Sequence, residues 1–150
     1  MRKVMSLAAF ALLMSASMAP AAEVEVKMLN KGTDGGLMVF EPSLVKIAPG
    51  DTVKFVAADK THNAETLKGM LPEGATPFAG KMSENVSVTF DKPGVYGVKC
   101  MPHYAMGMVA LVVVGKPDNV DQAKAIPQSG KAKQVFATLF DRLSQQAATK

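Results

Sequence analysis

Three residue types that bind soft metals occur close together in one short stretch of the chain. Cys100 is the only cysteine, His103 follows it by three positions, and Met108 follows by a further five. A thiolate and an imidazole at this spacing in a loop can reach one metal ion, and the thioether can approach from another direction. The remaining histidine, His62, lies far upstream. These four side chains form the ligand set of an electron-transfer copper site, so we predict that they bind one copper ion.

Taken singly, none of these residues is specific for a metal. A lone cysteine is usually a small buried hydrophobic residue, and Met108 is one of eleven methionines. The combination is far more specific, because core packing rarely produces Cys-x-x-His-x-x-x-x-Met directly after a strand-like run, with a His-Asn pair upstream. A bound metal therefore explains the pattern better than packing does.

The N-terminus has the features of a secretory signal peptide. Arg2 and Lys3 supply a positive segment, residues 4–14 are almost wholly apolar, and residues 19–21 are small enough for cleavage. The apolar run is too short for a helix that spans a bilayer. We therefore predict that residues 1–21 are removed on export and that the protein has no membrane anchor.

Residues 22–150 have the size of one domain and are long enough to bury a core without disulfides. The formal net charge is +4, and two of the positive charges lie in the predicted leader. Without a basic run or interleaved aromatic residues, this charge gives no indication of nucleic-acid binding. A lone cysteine in an exported protein has no disulfide partner in its own chain, and a metal would occupy its thiol.

Short segments of alternating or continuous apolar character predict a β protein. The predicted strands are residues 23–28, 38–42, 44–47, 52–56, 85–90, 95–100 and 109–114. Val53 and Phe55 share one face of their strand, and Tyr96, Val98 and Cys100 share one face of theirs. We expect both faces to point into the core.

A loop and two helices complete the predicted organisation. Residues 59–82 are interrupted by glycine and proline and are predicted to form a long loop with His62 near its start. Long loops in compact domains often carry functional residues. From about residue 118 the pattern becomes helical, with one short helix ending before Pro127 and a second beginning at Lys131. The whole pattern predicts an antiparallel, all-β sandwich with two C-terminal α-helices.

Longer motifs surround and connect the residues named above. They are Met28-Leu-Asn-Lys-Gly, Met38-Val-Phe-Glu-Pro, Pro49-Gly-Asp-Thr-Val, Asp59-Lys-Thr-His-Asn, Lys68-Gly-Met-Leu-Pro-Glu-Gly, Pro93-Gly-Val-Tyr-Gly-Val-Lys-Cys and Pro102-His-Tyr-Ala-Met-Gly-Met. In these stretches the sequence resembles the pseudoazurins, a family of cupredoxins. The resemblance covers essentially all of residues 22–150, including both helices. It implies a Greek-key sandwich of about eight strands that holds one type 1 copper ion.

By this resemblance, the copper ligands are His62, Cys100, His103 and axial Met108, and Asn63 ties the two ligand loops together. The implied function is one-electron transport in the periplasm by a protein that is not an enzyme. The implied partners are a nitrite reductase or similar acceptor and a cytochrome donor. We expect a monomer that binds neither nucleic acid nor a membrane.

We expect electrons to leave through the edge of the His103 ring. An apolar patch around it would allow a redox partner to approach closely, and a ring of lysines would steer an acidic partner. The predicted patch consists of Met38, Pro102 and Met106, and the predicted ring of Lys31, Lys60, Lys81 and Lys99.

Two other functions remain open from the sequence alone. A copper-binding or copper-delivery protein of the same compartment is the first, although such proteins often use several exposed Met or His residues. An enzyme, either a zinc hydrolase or a cysteine protease, is the second. Methionine is a poor ligand for zinc, and neither a general base nor an orienting third group can be named.

Overall fold

Eight strands and two helices follow one another in this protein, whose computed structural model describes residues 19–149. The strands are β1 (Glu23–Lys31), β2 (Leu37–Glu41), β3 (Leu44–Ile47), β4 (Asp51–Ala57), β5 (Glu65–Thr66), β6 (Val86–Phe90), β7 (Gly94–Lys99) and β8 (Val109–Val114). The helices are α1 (Val120–Ala125) and α2 (Gly130–Ala148). Most of the predicted leader lies outside the described residues, so its assignment stays a prediction.

Two four-stranded sheets form the sandwich, in the orders β2-β1-β4-β6 and β3-β8-β7-β5. The predicted Greek-key sandwich with two C-terminal helices is confirmed. The expectation of purely antiparallel pairing was wrong, because β1 pairs with β4 and β3 pairs with β8 in parallel. The chain leaves the first sheet after β2, contributes β3 to the second, and returns as β4 in the direction of β1. Alternation along a strand does not encode the direction of its neighbour.

The main core lies between the sheets and is built from the predicted faces. Val53 and Phe55 of β4 are fully buried, as are Val98 and Cys100, while Tyr96 is 4% exposed. All five belong to one hydrophobic cluster. Each large apolar side chain buried in this way contributes about 1.5–3 kcal/mol, and Cys100 lies among them in the main core.

A second core covers the outer face of β7 and β8. There Val95, Leu111 and Val113 pack with a stripe of α2 that includes Phe136 and Leu139. Every residue of β8 is buried because it has a core on each side, which explains its continuous apolar sequence. Among residues 19–149, no helix has both the length and the apolar character that spanning a membrane requires.

One strand was missed in the loop predicted over residues 59–82. Strand β5 has two residues and pairs with β7, Glu65 opposite Lys99 and Thr66 opposite Val98. Two residues are too few to show a period in the sequence. This short ladder nevertheless fixes the loop to the strand that ends just before Cys100.

Candidate metal centre

The loop from Cys100 to Met108 is closed by its own backbone. The Cys100 N–H donates to the Met108 carbonyl at 3.0 Å, and the Met108 N–H donates to the His103 carbonyl at 3.2 Å. A single 3₁₀ turn, Tyr104–Met106, lies between them and ends at Gly107, whose φ is +89°. Glycine suits this left-handed conformation, so the loop folds back at once and begins β8.

His62 is held in place from the opposite side by a neighbouring loop. Thr61 and Ser83 both have positive φ, at 69° and 61°. The Thr61 N–H donates to Ser83 Oγ, and the Ser83 N–H donates to the His62 carbonyl, both at 2.8 Å. A positive φ at a β-branched residue is costly, so these hydrogen bonds hold a strained backbone next to a fully buried His62.

Three donor atoms converge between the two loops. The Cys100 Sγ lies 3.5 Å from the His103 Nδ1 and 3.8 Å from the His62 Nδ1. The two Nδ1 atoms are 3.0 Å apart. In the described part of the chain, this is the one group of three or more His, Cys, Asp or Glu side chains close enough to share a metal ion.

The chemistry of these donors fits a copper ion. The His62 Nε2 lies 2.9 Å from the Asn30 Oδ1, and an amide oxygen can only accept a hydrogen bond. The tautomer with its hydrogen on Nε2 satisfies this contact and leaves the Nδ1 lone pair free for a metal ion. Two imidazoles with one thiolate suit copper in preference to magnesium or calcium, which take oxygen ligands.

Burial shifts the pKa values of the two buried donors in opposite directions. It lowers the pKa of His62, and the nearby His103 lowers it further, while Asp59 opposes both. Burial raises the pKa of the Cys100 thiol, and the backbone N–H groups of Asn63 and His103 partly offset this. Both shifts favour the neutral form of the side chain, so a metal ion competes with fewer protons at the imidazole and has to displace the proton of the thiol.

Asn63 joins the two loops, as the resemblance implied. Its Oδ1 accepts the Met101 N–H at 2.8 Å, and its Nδ2 donates to Glu65 at 3.0 Å and to the Gly80 carbonyl at 3.3 Å. The side chain is 4% exposed, so these hydrogen bonds are sheltered from water and fix one loop relative to the other.

Met108, the fourth predicted ligand, is fully buried in the same hydrophobic cluster as Cys100. Its backbone carbonyl accepts the Cys100 N–H, so the backbones of the two residues lie side by side. The coordination of a metal by its thioether remains a prediction.

His103 is the donor nearest the solvent, since its ring is only half-buried. Of the predicted apolar patch, Pro102 and Met106 are exposed, whereas Met38 is half-buried against the main core. Leu37 was not predicted to be part of this patch, but it is 57% exposed and lines the same groove as Met106. It follows a pair of glycines and carries no periodic signal.

The predicted lysine ring differs at one position. Lys31, Lys60 and Lys81 are exposed, but the Lys99 ammonium lies 3.3 Å from a carboxylate oxygen of Glu65. That ion pair follows from the pairing of β5 with β7, which sequence alone did not reveal. Lys99 therefore contributes less free positive charge than the other three.

Comparisons with known proteins agree with this geometry. Residues 26–115 match the model of the copper binding proteins of the plastocyanin/azurin family. The chain is 52% identical to the pseudoazurin of Methylorubrum extorquens over 83% of its own length and 84% of the relative's. It is 51% identical to the pseudoazurin of Paracoccus pantotrophus, over 86% and 90% respectively.

Solved structures agree as well. The crystal structure of native pseudoazurin from Hyphomicrobium denitrificans superposes with a TM-score of 0.77 at 48% identity, covering 80% of this chain and 97% of that one. The family match ends at residue 115, just before the two helices, and the superposed structure is covered almost to its full length.

Proposed function

The chain belongs to the pseudoazurin family of blue copper electron carriers, and from this premise we propose that it carries single electrons in the periplasm through a copper ion bound by His62, Cys100, His103 and Met108. The convergence of the Cys100 Sγ and the two Nδ1 atoms in a buried site is the observation that carries the assignment. Bound copper supplies a one-electron couple between Cu(II) and Cu(I).

Each proposed ligand has a distinct role. The Cys100 thiolate would hold a copper ion together with the imidazoles of His62 and His103, and it would supply the negative charge. The thioether of Met108 would be a weaker ligand that helps to set the reduction potential. Oxidation and reduction then require little movement, because packing and hydrogen bonds already fix the donors.

The hydrogen bonds around the donors limit their reorganisation. The Asn63 side chain accepts the Met101 N–H beside Cys100, and the Asn30 Oδ1 lies 2.9 Å from the His62 Nε2. Neighbours that orient metal ligands also tune the metal's properties. A site held this rigidly favours fast electron exchange, because little energy is spent in rearranging the ligands.

Electrons are proposed to enter and leave at the half-buried ring of His103. The exposed residues close to it in sequence are Met101, Pro102 and Met106. An apolar surface can approach a partner closely without burying unpaired charges. Exposed Lys31, Lys60 and Lys81 would steer an acidic partner. The proposed partners are a nitrite reductase or similar acceptor and a cytochrome donor, each forming a small, transient interface.

Burial of the donors argues against copper delivery as the main function. A delivery site must release its ion quickly, whereas two of the three convergent donors here are fully buried. We expect slow copper exchange and fast electron exchange.

The test is a Cu(II) titration of residues 22–150, followed by optical absorption and EPR. We expect intense thiolate-to-copper absorption and a narrow copper hyperfine splitting, both lost in Cys100→Ser and retained in the exposed control Met82→Leu. A pale complex with an ordinary hyperfine splitting would overturn the electron-carrier assignment.

Location is tested with the full chain. We expect osmotic shock of expressing cells to release a product whose N-terminal residue is Ala22. Recovery of uncleaved protein only in the spheroplasts would contradict the periplasmic assignment.

A further inference from the structure

The last residues of β1 reach the metal-binding end of the sandwich. Val26, Met28 and Asn30 alternate along one face of this strand, and the first two are fully buried in the main core. The β1–β4 ladder pairs Met28 with Ala57, beyond which the chain continues toward His62. Asn30 therefore extends the inward face of β1 to the point where the core gives way to the metal donors.

Asn30 is held at both its backbone and its side chain. Its N–H donates to Asp59 Oδ2 at 2.7 Å, and its Oδ1 lies 2.9 Å from the His62 Nε2. The Asp59 N–H in turn donates to the Met28 carbonyl at 3.2 Å. These bonds tie the end of β1 to the segment that carries His62, although Asn30 itself is exposed.

We propose that Asn30 is a positioning residue that fixes the tautomer and ring orientation of His62. By accepting the Nε2 hydrogen, the Asn30 amide keeps the Nδ1 lone pair directed toward Cys100 and His103. The same hydrogen bond increases electron donation from the imidazole to a bound cation. This inference rests on the proposed function for its effect on copper, but its structural part concerns the metal-free protein.

Two substitutions at Asn30 separate this role from a general loss of structure. Asn30→Leu removes the acceptor at similar size, whereas Asn30→Asp keeps an acceptor oxygen and adds negative charge. We expect Asn30→Leu to weaken electron donation from His62 to the copper ion, which disfavours Cu(II) and raises the reduction potential. We expect Asn30→Asp to strengthen electron donation and to lower the reduction potential. A merely structural disturbance would not shift the potential in opposite directions.

The matched control is Asn85→Leu. Asn85 is also exposed, and its Oδ1 also accepts a hydrogen bond, in this case from the Ala57 backbone N–H at 2.9 Å and away from the metal donors. We expect this variant to keep the wild-type reduction potential. We expect Asn30→Leu to lower the Cu(II) affinity by about 10-fold, the lower end of the range for residues that orient metal ligands, with Asn85→Leu unchanged.

The deciding experiment begins with ¹⁵N NMR of the metal-free protein. We expect the His62 ring to show a protonated Nε2 and an unprotonated Nδ1 in wild type and Asn30→Asp, and a mixture of tautomers in Asn30→Leu. A wild-type ring protonated at Nδ1 would overturn the inference whatever the variants do.

Copper loading then separates the two hypotheses. If the wild type forms no blue site, the proposed function fails while the NMR result still decides the role of Asn30. If the wild type is blue and all three variants share its potential, the inference about Asn30 fails alone.

Discussion

The two segments that supply the metal donors are held in different ways. The loop from Cys100 to Met108 closes through its own backbone hydrogen bonds and one 3₁₀ turn. The segment around His62 depends on residues remote in sequence, with Asn30 at the ring and Ser83 at the backbone. One donor pair is thus positioned by local closure and the other donor by tertiary contacts.

This difference separates what a short motif encodes from what the fold must provide. Spacing alone brings Cys100 and His103 together, because nine residues with a closing hydrogen bond leave little freedom. The segment of His62 is instead held by contacts with β1, with β5 and with the loop before β6. We therefore expect substitutions that loosen the sandwich to displace His62 before they open the short loop.

Asn63→Ala should have the largest effect, because this residue connects the two segments. The change removes three hydrogen bonds from a buried side chain. We expect the free energy of unfolding of the metal-free protein to fall by about 2–3 kcal/mol, and the Cu(II) affinity by about 10–100-fold. Urea unfolding and competition titration measure the two quantities. Equal losses in Asn63→Ala and the exposed control Asn85→Ala would show that joining the two segments stabilises the protein no more than an exposed hydrogen bond does.

Gly107→Ala tests whether the short loop also depends on α2. An added Cβ would lie 3.0 Å from side-chain carbons of Lys131 and Val135, at a φ of +89°. Gly35 has a similar φ of +85° with nothing within 4 Å, so Gly35→Ala measures the backbone strain alone. We expect Gly35→Ala to cost about 1 kcal/mol and Gly107→Ala about 2–3 kcal/mol in urea unfolding. Equal costs would mean that the loop is independent of the helix.

The pH dependence of stability should report on His62. Its pKa is lowered by burial, so the neutral ring is favoured in the folded state. The stabilisation is complete above the ordinary pKa of about 6.5 and is lost as the pH falls through the lower folded-state value. At pH values below about 6.5, we expect the urea concentration at the unfolding midpoint of the metal-free protein to decrease as the pH is lowered. We expect this decrease to be smaller in His62→Gln. Parallel pH profiles for the two proteins would refute this.

Much of the fold was predictable because the signals were local. Alternation placed Val53, Phe55, Tyr96 and Val98 on the correct faces, and the helical stripe fixed α2 to within one residue of its start. The parallel pairing of β1 with β4 was not predictable, because it depends on which sheet β3 joins.

The candidate site also has features that were predictable from local spacing and features that were not. Cys100 and His103 are brought together as their spacing predicted, and His62 joins them. The contacts of Asn30 and Ser83 with the His62 segment were not predicted, since each residue lies more than 20 positions away from that segment in the chain. A rule based on sequence spacing cannot detect contacts that exist only after the sheets form.

The smallest expected effect concerns the lysines near the two segments. Lys60 and Lys81 belong to the His62 side and are exposed, whereas Lys99 precedes the short loop and pairs with Glu65. We expect Lys60→Ala and Lys81→Ala each to slow oxidation of the reduced protein by anionic hexacyanoferrate(III) about 2–3-fold at low ionic strength, with a smaller change for Lys99→Ala. Stopped-flow absorption of the copper site measures the rates.

Added salt and a remote lysine show whether location or total charge is responsible. Lys46 is exposed on β3 and pairs opposite Val113, toward the other end of β8 from Val109. Lys46→Ala removes the same charge, yet we expect it to change the rate less than Lys60→Ala. The differences should vanish above roughly 0.5 M salt, where screening acts within about 4 Å. Equal slowing by all four substitutions would mean that net charge, and no particular segment, attracts the anion.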